Sequence, residues 1–312
     1  MRKALIVGIN DYPGRPLRGC INDANMIADL LATNEDNSAN FDVMRCHNVK
    51  TRDDLRSKLY RLFQFEGEAS LFYFSGHGCI TKYGGYLIMP DYTRNDVGIS
   101  MDEILTIVNL SPARHKIIIL DCCYSGAMGT PALTENNVAF LAKGVTVLAA
   151  SREDEPSIEV AGHGIFTNLL AEGLRGGASD ISGKVGPTSL YSYIDKAFGA
   201  WQQRPVFKAN IIESICLREL MPPIPKEELR KIIKYFPTPA DEYQLDPTYQ
   251  NSIPGAIPEH VAIFRILRRM HVLRLIEIPG EEYMYYATVN RKRCKLTPLG
   301  VYYWNLIKQG RI

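Results

Sequence analysis

Residues 116–126 read KIIILDCCYSG. The Ile-Ile-Ile-Leu run is short, β-branched and uninterrupted, so it predicts a strand buried on both faces. The chain then turns at once into a carboxylate, two thiols and a Tyr-Ser-Gly that no buried strand continues. Chemistry in an open α/β sheet sits beyond the carboxyl ends of its strands, and this is such an end.

Outward from this strand the same pattern repeats. Residues 4–9 (ALIVGI), 70–75 (SLFYFS) and 145–149 (VTVLA) are further short apolar runs, and 41–46 is a weaker one. Helical periods stand between them. Residues 21–32 put Ile21, Ala24, Ile27, Ala28 and Leu31 on one face. Residues 51–65 open with Thr51 as N-cap and Asp53 and Asp54 in the first turn. Residues 100–109 follow Ser100, 165–175 stop at Gly176-Gly177, and 188–200 form another helix. A hairpin-like segment with Gly84-Gly85 leads to 86–90, and 203–208 predict a last strand. Strands alternating with helices predict an α/β fold with a mostly parallel sheet. Three loops then lie at the site-forming edge: 10–23, 75–79 and 121–126.

The 312 residues suggest about two domains and can bury a core without a staple. A hydrophobic content of 46% with 22% charged residues excludes wholesale disorder, and a net charge of +2 excludes a strong field for a polyanion. Seven cysteines in no framework read as reduced thiols of a cytoplasmic protein. The first apolar run stops at Val7 with no cleavage site after it, and no run reaches the roughly 18 residues of a membrane span.

The last hundred residues differ. Residues 1–212 carry two more acidic than basic side chains, and 213–312 carry four more basic than acidic. Eight prolines cluster in 221–258, so 213–258 predict a linker with one helix at 226–235. Residues 259–312 predict a helix (259–270), two strands (272–278 and 283–289) around Pro279-Gly280, and a last helix from Thr297 to 308. Helix, two-stranded wing and helix make a small α+β, winged-helix-like domain. Arg265, Arg268, Arg269, Arg291, Lys292, Arg293 and Lys295 present a basic face, for phosphates or simply for solvent. Trp304, Tyr302 and Tyr303 read as core.

Two motifs carry chemistry. In Ser75-Gly76-His77-Gly78 an imidazole stands between glycines, where a substrate can approach closely; alone, it also suits a packed loop histidine. In 121–126 a thiol sits on a tight turn whose backbone amide can face a developing oxyanion. Two core cysteines or a metal site would fit too, although adjacent cysteines chelate poorly and no second ligand pair is present. Together the motifs say more. His77 precedes Cys123 by 46 residues, both at ends of predicted parallel strands.

With SGHG at 75–78, DCCYSG at 121–126, LRGCINDA at 17–24 and GIFT at 164–167, residues 1–212 resemble the caspase-like cysteine peptidases. Among these the likeness is to metacaspases and their prokaryotic relatives. The resemblance implies a three-layer αβα sandwich. It implies that Cys123 is the nucleophile, His77 the general base and acid, and the amides of Gly78 and Cys123 the oxyanion hole. It further implies that Asp23 and Asp121 line the primary specificity pocket, with Ser75 and Cys20 nearby. A carboxylate pair in a partly dry pocket wants a cation, and guanidinium offers a bidentate fork, so cleavage after Arg, with Lys second, is expected. Glu153, Asp154 and Glu155 either extend this negative rim or form a solvated loop.

No cofactor is required. Calcium activation, common in metacaspases, would draw on Asp91, Asp102 and Glu103. Tyr124 stands where metacaspases often have His. Residues 127–143 suggest an activation loop, with Lys143 its one basic residue and Arg175 and Lys184 as alternative processing points. Prokaryotic relatives act in stress responses, cell death or defence. The expected partner is a protein substrate with Arg or Lys at the cleaved bond. A regulatory protein on the C-terminal domain is a second partner, and nucleic acid is less favoured. The rival functions are a degenerate caspase-fold binding module and a DNA-binding regulator with a peptidase-like sensor.

Overall fold

The computed structural model describes residues 1–94, 96–122, 140–150, 159–160, 162–198 and 205–312, and divides into two compact units, Met1–Met221 and Pro222–Ile312. The first unit opens with β1 (Arg2–Gly8), α1 (Cys20–Ala32), β2 (Asp42–His47), α2 (Arg52–Phe63) and β3 (Ala69–Ser75). A small antiparallel sheet follows, made of β4 (Gly78–Thr81), β5 (Gly84–Thr93) and β6 (Asp96–Ser100), then α3 (Met101–Asn109) and β7 (His115–Asp121). After β8 (Val145–Ala149) come the short pair β9 (Glu159–Val160) and β10 (His163–Gly164), then α4 (Ile165–Glu172) and a wide turn over Gly173–Gly177. β11 (Lys184–Val185), α5 (Pro187–Phe198), β12 (Val206–Asn210) and β13 (Arg218–Glu219) complete the unit.

Six strands form the main sheet in the order β12-β8-β7-β3-β1-β2, parallel throughout except for β12 at its edge. Leu5, Val7, Phe72, Phe74, Ile118 and Leu120 point to the face covered by Leu55 and Leu59 of α2 and Ile104 and Val108 of α3. Their neighbours Ala4, Ile6, Leu71, Tyr73, Ile117 and Ile119 point to the opposite face, under Ile27 and Leu31 of α1, Phe166 and Leu170 of α4, and Leu190 of α5. Helices on both faces leave no polar side of the sheet. That is why its central strands read as continuous apolar runs rather than alternating ones. Thr51 accepts from the Asp54 amide and Ser100 from the Glu103 amide, so both predicted caps form.

One feature of the register positions the site. Gly8 pairs with Ser75, and Ser75 pairs with Asp121, so the three central parallel strands end in one row. The loops that leave them start level.

Part of the expected 213–258 linker belongs to this first unit. β13 pairs with β11, and the Arg2 guanidinium donates to the Cys216 carbonyl at 2.9 Å. The remainder is built into the second unit, which contains α6 (Lys226–Leu229), α7 (Ile232–Tyr235), β14 (Glu242–Gln244), α8 (Pro258–Val272), β15 (Ile276–Glu277), α9 (Met284–Val289), β16 (Arg293–Leu296) and α10 (Pro298–Lys308). Its antiparallel sheet runs β14-β16-β15. The expected strand at 283–289 is therefore corrected to a helix, and the partner of the 276–277 strand is β16. Tyr and Val favour strands, but Met284, Ala287 and Thr288 are the buried positions, a spacing of three and four that only a helix puts on one face. Thr297 caps α10 as expected, accepting from the Gly300 amide. The buried Trp304 indole donates to the Phe236 carbonyl at 2.7 Å, whereas Tyr302, expected in the core, is 58% exposed.

Candidate active site

The site is assembled at the carboxyl ends of β1, β3 and β7. The tight seat of α1 on β1 comes first. A Cβ at Gly8 would stand 2.4 Å from the Cys20 carbonyl and 2.8 Å from the Ala24 Cβ, so only glycine lets the first turn of α1 approach the strand end. That turn carries Cys20, 9% exposed, and Asp23, 2% exposed.

Asp23 is bound on both oxygens. Oδ1 lies 2.8 Å from His163 Nδ1, and Oδ2 accepts from the Gly164 amide at 3.3 Å. Asp121, ending β7, accepts from the Thr167 hydroxyl at 2.6 Å. Thr167 Oγ1 is also 2.6 Å from the Tyr73 hydroxyl. Since the single threonine proton goes to the carboxylate, Tyr73 donates to Thr167 and completes a buried relay. The carboxylates converge at Gly164. A Cβ there would meet Asp121 Oδ2 at 2.8 Å and Asp23 Oδ2 at 3.4 Å. Burial, and then the charge of Asp121, push the Asp23 carboxyl up to about 6 against the pull of His163 and Gly164. Burial likewise holds the Tyr73 phenol far above its ordinary value, with Asp121 and Asp23 adding to the effect. Ser75, 2% exposed, lies in the row between Gly8 and Asp121. The structure therefore brings Cys20, Asp23, Ser75 and Asp121 to one end of the sheet.

His77 follows β3. Its amide donates to the Tyr12 hydroxyl at 3.1 Å, and its ring meets the Tyr12 ring edge-on with centroids 4.6 Å apart. Its Nε2 lies 2.9 Å from the Arg15 carbonyl oxygen. A carbonyl only accepts, so Nε2 donates to it, and Nδ1 is the nitrogen this bond leaves untied. Gly78 opens β4 opposite Leu87. Cys122 is buried. Cys123 lies outside the described residues, as do Tyr124, Glu153, Asp154, Glu155 and residues 127–139. Their expected roles therefore rest on sequence. Ser75 and Asp121 are register partners, and His77 and Cys123 each stand two residues beyond that pair.

Other expected groups are separated. Asp91 pairs with Arg52 and Glu103 with Arg56, so these acids do not gather with Asp102 as calcium ligands. Among the described residues no group of three or more metal-ligating side chains occurs. In the second unit Arg293 pairs with Glu242, Lys295 with Glu277 and Arg269 with Glu228, which removes charge from the basic face. No helix among the described residues is long and apolar enough to cross a membrane.

Sequence reading missed four contributors: His163, Thr167, Tyr73 and the Arg15 carbonyl. The first two lie within or beside the Gly164-Ile165-Phe166-Thr167 motif, so a titratable residue just before it was a usable signal. Tyr73 was hidden as one apolar member of a strand. A main-chain carbonyl leaves no sequence signal at all.

A crystal structure of a Geobacter sulfurreducens protein, a structural-genomics target, resembles the chain with a TM-score of 0.49 at 17% identity, covering 70% of this chain and 97% of its own. No curated protein matches. The model of the caspase domain family matches residues 1–212. That span holds the six-stranded sheet, the His77 loop, and Asp23 and Asp121, and over it the chain belongs to the caspase domain family.

Proposed function

We propose that the chain is a cysteine endopeptidase that cleaves proteins after Arg, and after Lys second, using Cys123 and His77. The observation that carries this reading is the convergence of two carboxylates, Asp23 and Asp121, on Gly164 at the end of the sheet where the His77 loop leaves β3. A carboxylate pair held in a dry place selects a cationic side chain, and a guanidinium can meet both oxygens of a carboxylate. The bond from His77 Nε2 to the Arg15 carbonyl supports this reading, because it leaves Nδ1 for a thiol nucleophile. With Nε2 tied to the Arg15 carbonyl, Nδ1 takes the proton of Cys123. The thiolate adds to the scissile carbonyl, and the amides of Gly78 and Cys123 donate to the tetrahedral oxyanion. The imidazolium then protonates the leaving amine, and water hydrolyses the thioester with His77 as base. That His77 and Cys123 each follow one cross-strand pair, Ser75 and Asp121, by two positions in the sequence supports assigning them to one site.

The test is a panel of fluorogenic peptides with Arg, Lys, Asp or Ala before the cleaved bond, given to wild type and Cys123→Ala. Turnover with Arg ahead of Lys, absent for Asp and Ala and abolished in Cys123→Ala, is expected. Arg turnover that survives the substitution removes the nucleophile, and a preference for Asp removes the pocket.

A further inference from the structure

The second unit keeps two arginines that its acids do not claim. Arg269 pairs with Glu228, Arg293 with Glu242 and Lys295 with Glu277. Arg265 and Arg268, exposed and one turn apart on α8, form no ion pair and no hydrogen bond among the described residues. Like charges at neighbouring positions of a helix repel, so an anion between them would relieve the pair. Arg268 also stands in the wall of two open clefts. One, of about 300 Å³, is lined by Arg265, Arg268 and Arg269 with Pro223, Val272 and Leu273. The other, of about 350 Å³, sets Arg268 beside Gln250, Phe264, Tyr283, Met284 and Tyr285. Both lie at the small end of the sizes that take small molecules. The second cleft is aromatic and holds an unmet polar group. Gln250 is 8% exposed, and its Nε2 has no hydrogen-bond partner. A buried donor left unpaired costs stability, and an acceptor brought by a ligand removes that cost. The rings of Tyr283 and Tyr285 each meet Tyr286 edge-on, with centroids 6.3 and 5.4 Å apart, which holds their planes.

We propose that these adjoining clefts form one site for a nucleotide, with the base in the aromatic cleft and the phosphate between Arg268 and Arg265. Bases stack on aromatic rings because every base has a π-face. A purine offers N7 as an acceptor for the Gln250 amide, and a guanidinium meets two phosphate oxygens at once. Each part alone is unselective: arginines take any anion, and tyrosines take any apolar group. Sharing Arg268, they select a ligand that is planar, polar along its edge and anionic at one end. An acidic side chain brings the charge but no ring. This inference does not rest on the peptidase reading, since every residue in it belongs to the second unit.

The experiment is calorimetric titration of the full chain with AMP, adenosine, inorganic phosphate and a short single-stranded oligo-dA. The proteins are wild type, Arg268→Gln, Tyr285→Ala and, as control, Arg293→Gln. Arg268 and Tyr285 are exposed, so both variants keep the buried core intact. AMP is expected to bind saturably, with adenosine and phosphate each about 10-fold weaker or more. Arg268→Gln is expected to weaken AMP about 10-fold, the loss of a charge-assisted bond, and Tyr285→Ala about 5-fold or more, the loss of a stacking face. Arg293→Gln, whose side chain pairs with Glu242 and lines neither cleft, stays within about twofold of wild type. Absence of saturable AMP binding overturns the proposal. So does binding indifferent to Arg268→Gln, or adenosine or phosphate as tight as AMP. Oligo-dA that binds and is not displaced by AMP assigns this face to single-stranded nucleic acid and overturns the nucleotide site as well.

Discussion

Two sets of carboxylates in the first unit meet opposite surroundings. Asp91 and Glu103 each face an arginine, with Arg52 Nε 3.2 Å from Asp91 and Arg56 Nε 2.5 Å from Glu103. Asp23, nearly inaccessible, faces an imidazole and the field of Asp121. Arginine partners neutralise charge at the surface and tie α2 to the β5 and α3 segments. Burying one acid beside another destabilises the fold, and such an arrangement persists where the charge is used. The first set ties elements together, and the second is the pair we propose as the specificity pocket.

The largest effect that would break this contrast is at Asp121. Asp121→Asn keeps an oxygen for the Thr167 hydroxyl but removes one charge from the pocket. The expected result is a fall in kcat/KM for Arg peptides of about 100-fold or more, the loss of a charge-assisted contact in a dry site. Near-normal kinetics would put Asp121 in the same class as Glu103.

A second measurement sharpens the contrast through stability. The Asp23 carboxyl is raised from 3.8 to about 6, so the folded state binds its proton more tightly than the unfolded chain does. Its contribution to stability therefore falls as pH rises through that window and stays unfavourable above it. Asp23→Asn is expected to raise the unfolding free energy on the order of 2 kcal/mol at pH 8, with the gain vanishing near pH 4, while Arg cleavage is lost. Denaturant melts across pH 4–8 give the answer, and a gain independent of pH would contradict the assigned burial.

The smallest effect is at the structural pair. Glu103→Gln is expected to leave Arg-peptide kinetics within about twofold and to cost less than about 1 kcal/mol, with the loss fading in high salt. A change in specificity on this substitution would erase the distinction.

The difference in legibility between the units has a physical origin. Residues 117–120 could be read because the middle of a strand covered on both faces is apolar, and a register locked by that burial then aligns Gly8, Ser75 and Asp121. The loops of the candidate site followed from the ends of such strands. Residues 283–289 could not be read the same way. In a segment this short, strand-favouring Tyr and Val compete with a helical burial period that only the packing of Met284, Ala287 and Thr288 reveals. His163 escaped because its importance comes from Asp23, 140 residues away in the chain.

The main-chain origin of the group that steers His77 has a consequence for mutagenesis. Arg15 supplies its carbonyl whatever side chain it bears. An alanine scan would score position 15 as silent, although the peptide unit there decides which imidazole nitrogen is tied to the loop. Selection acting on the orientation of His77 would show itself in the length and curvature of the 10–19 loop, not in the identity of any one amino acid along it.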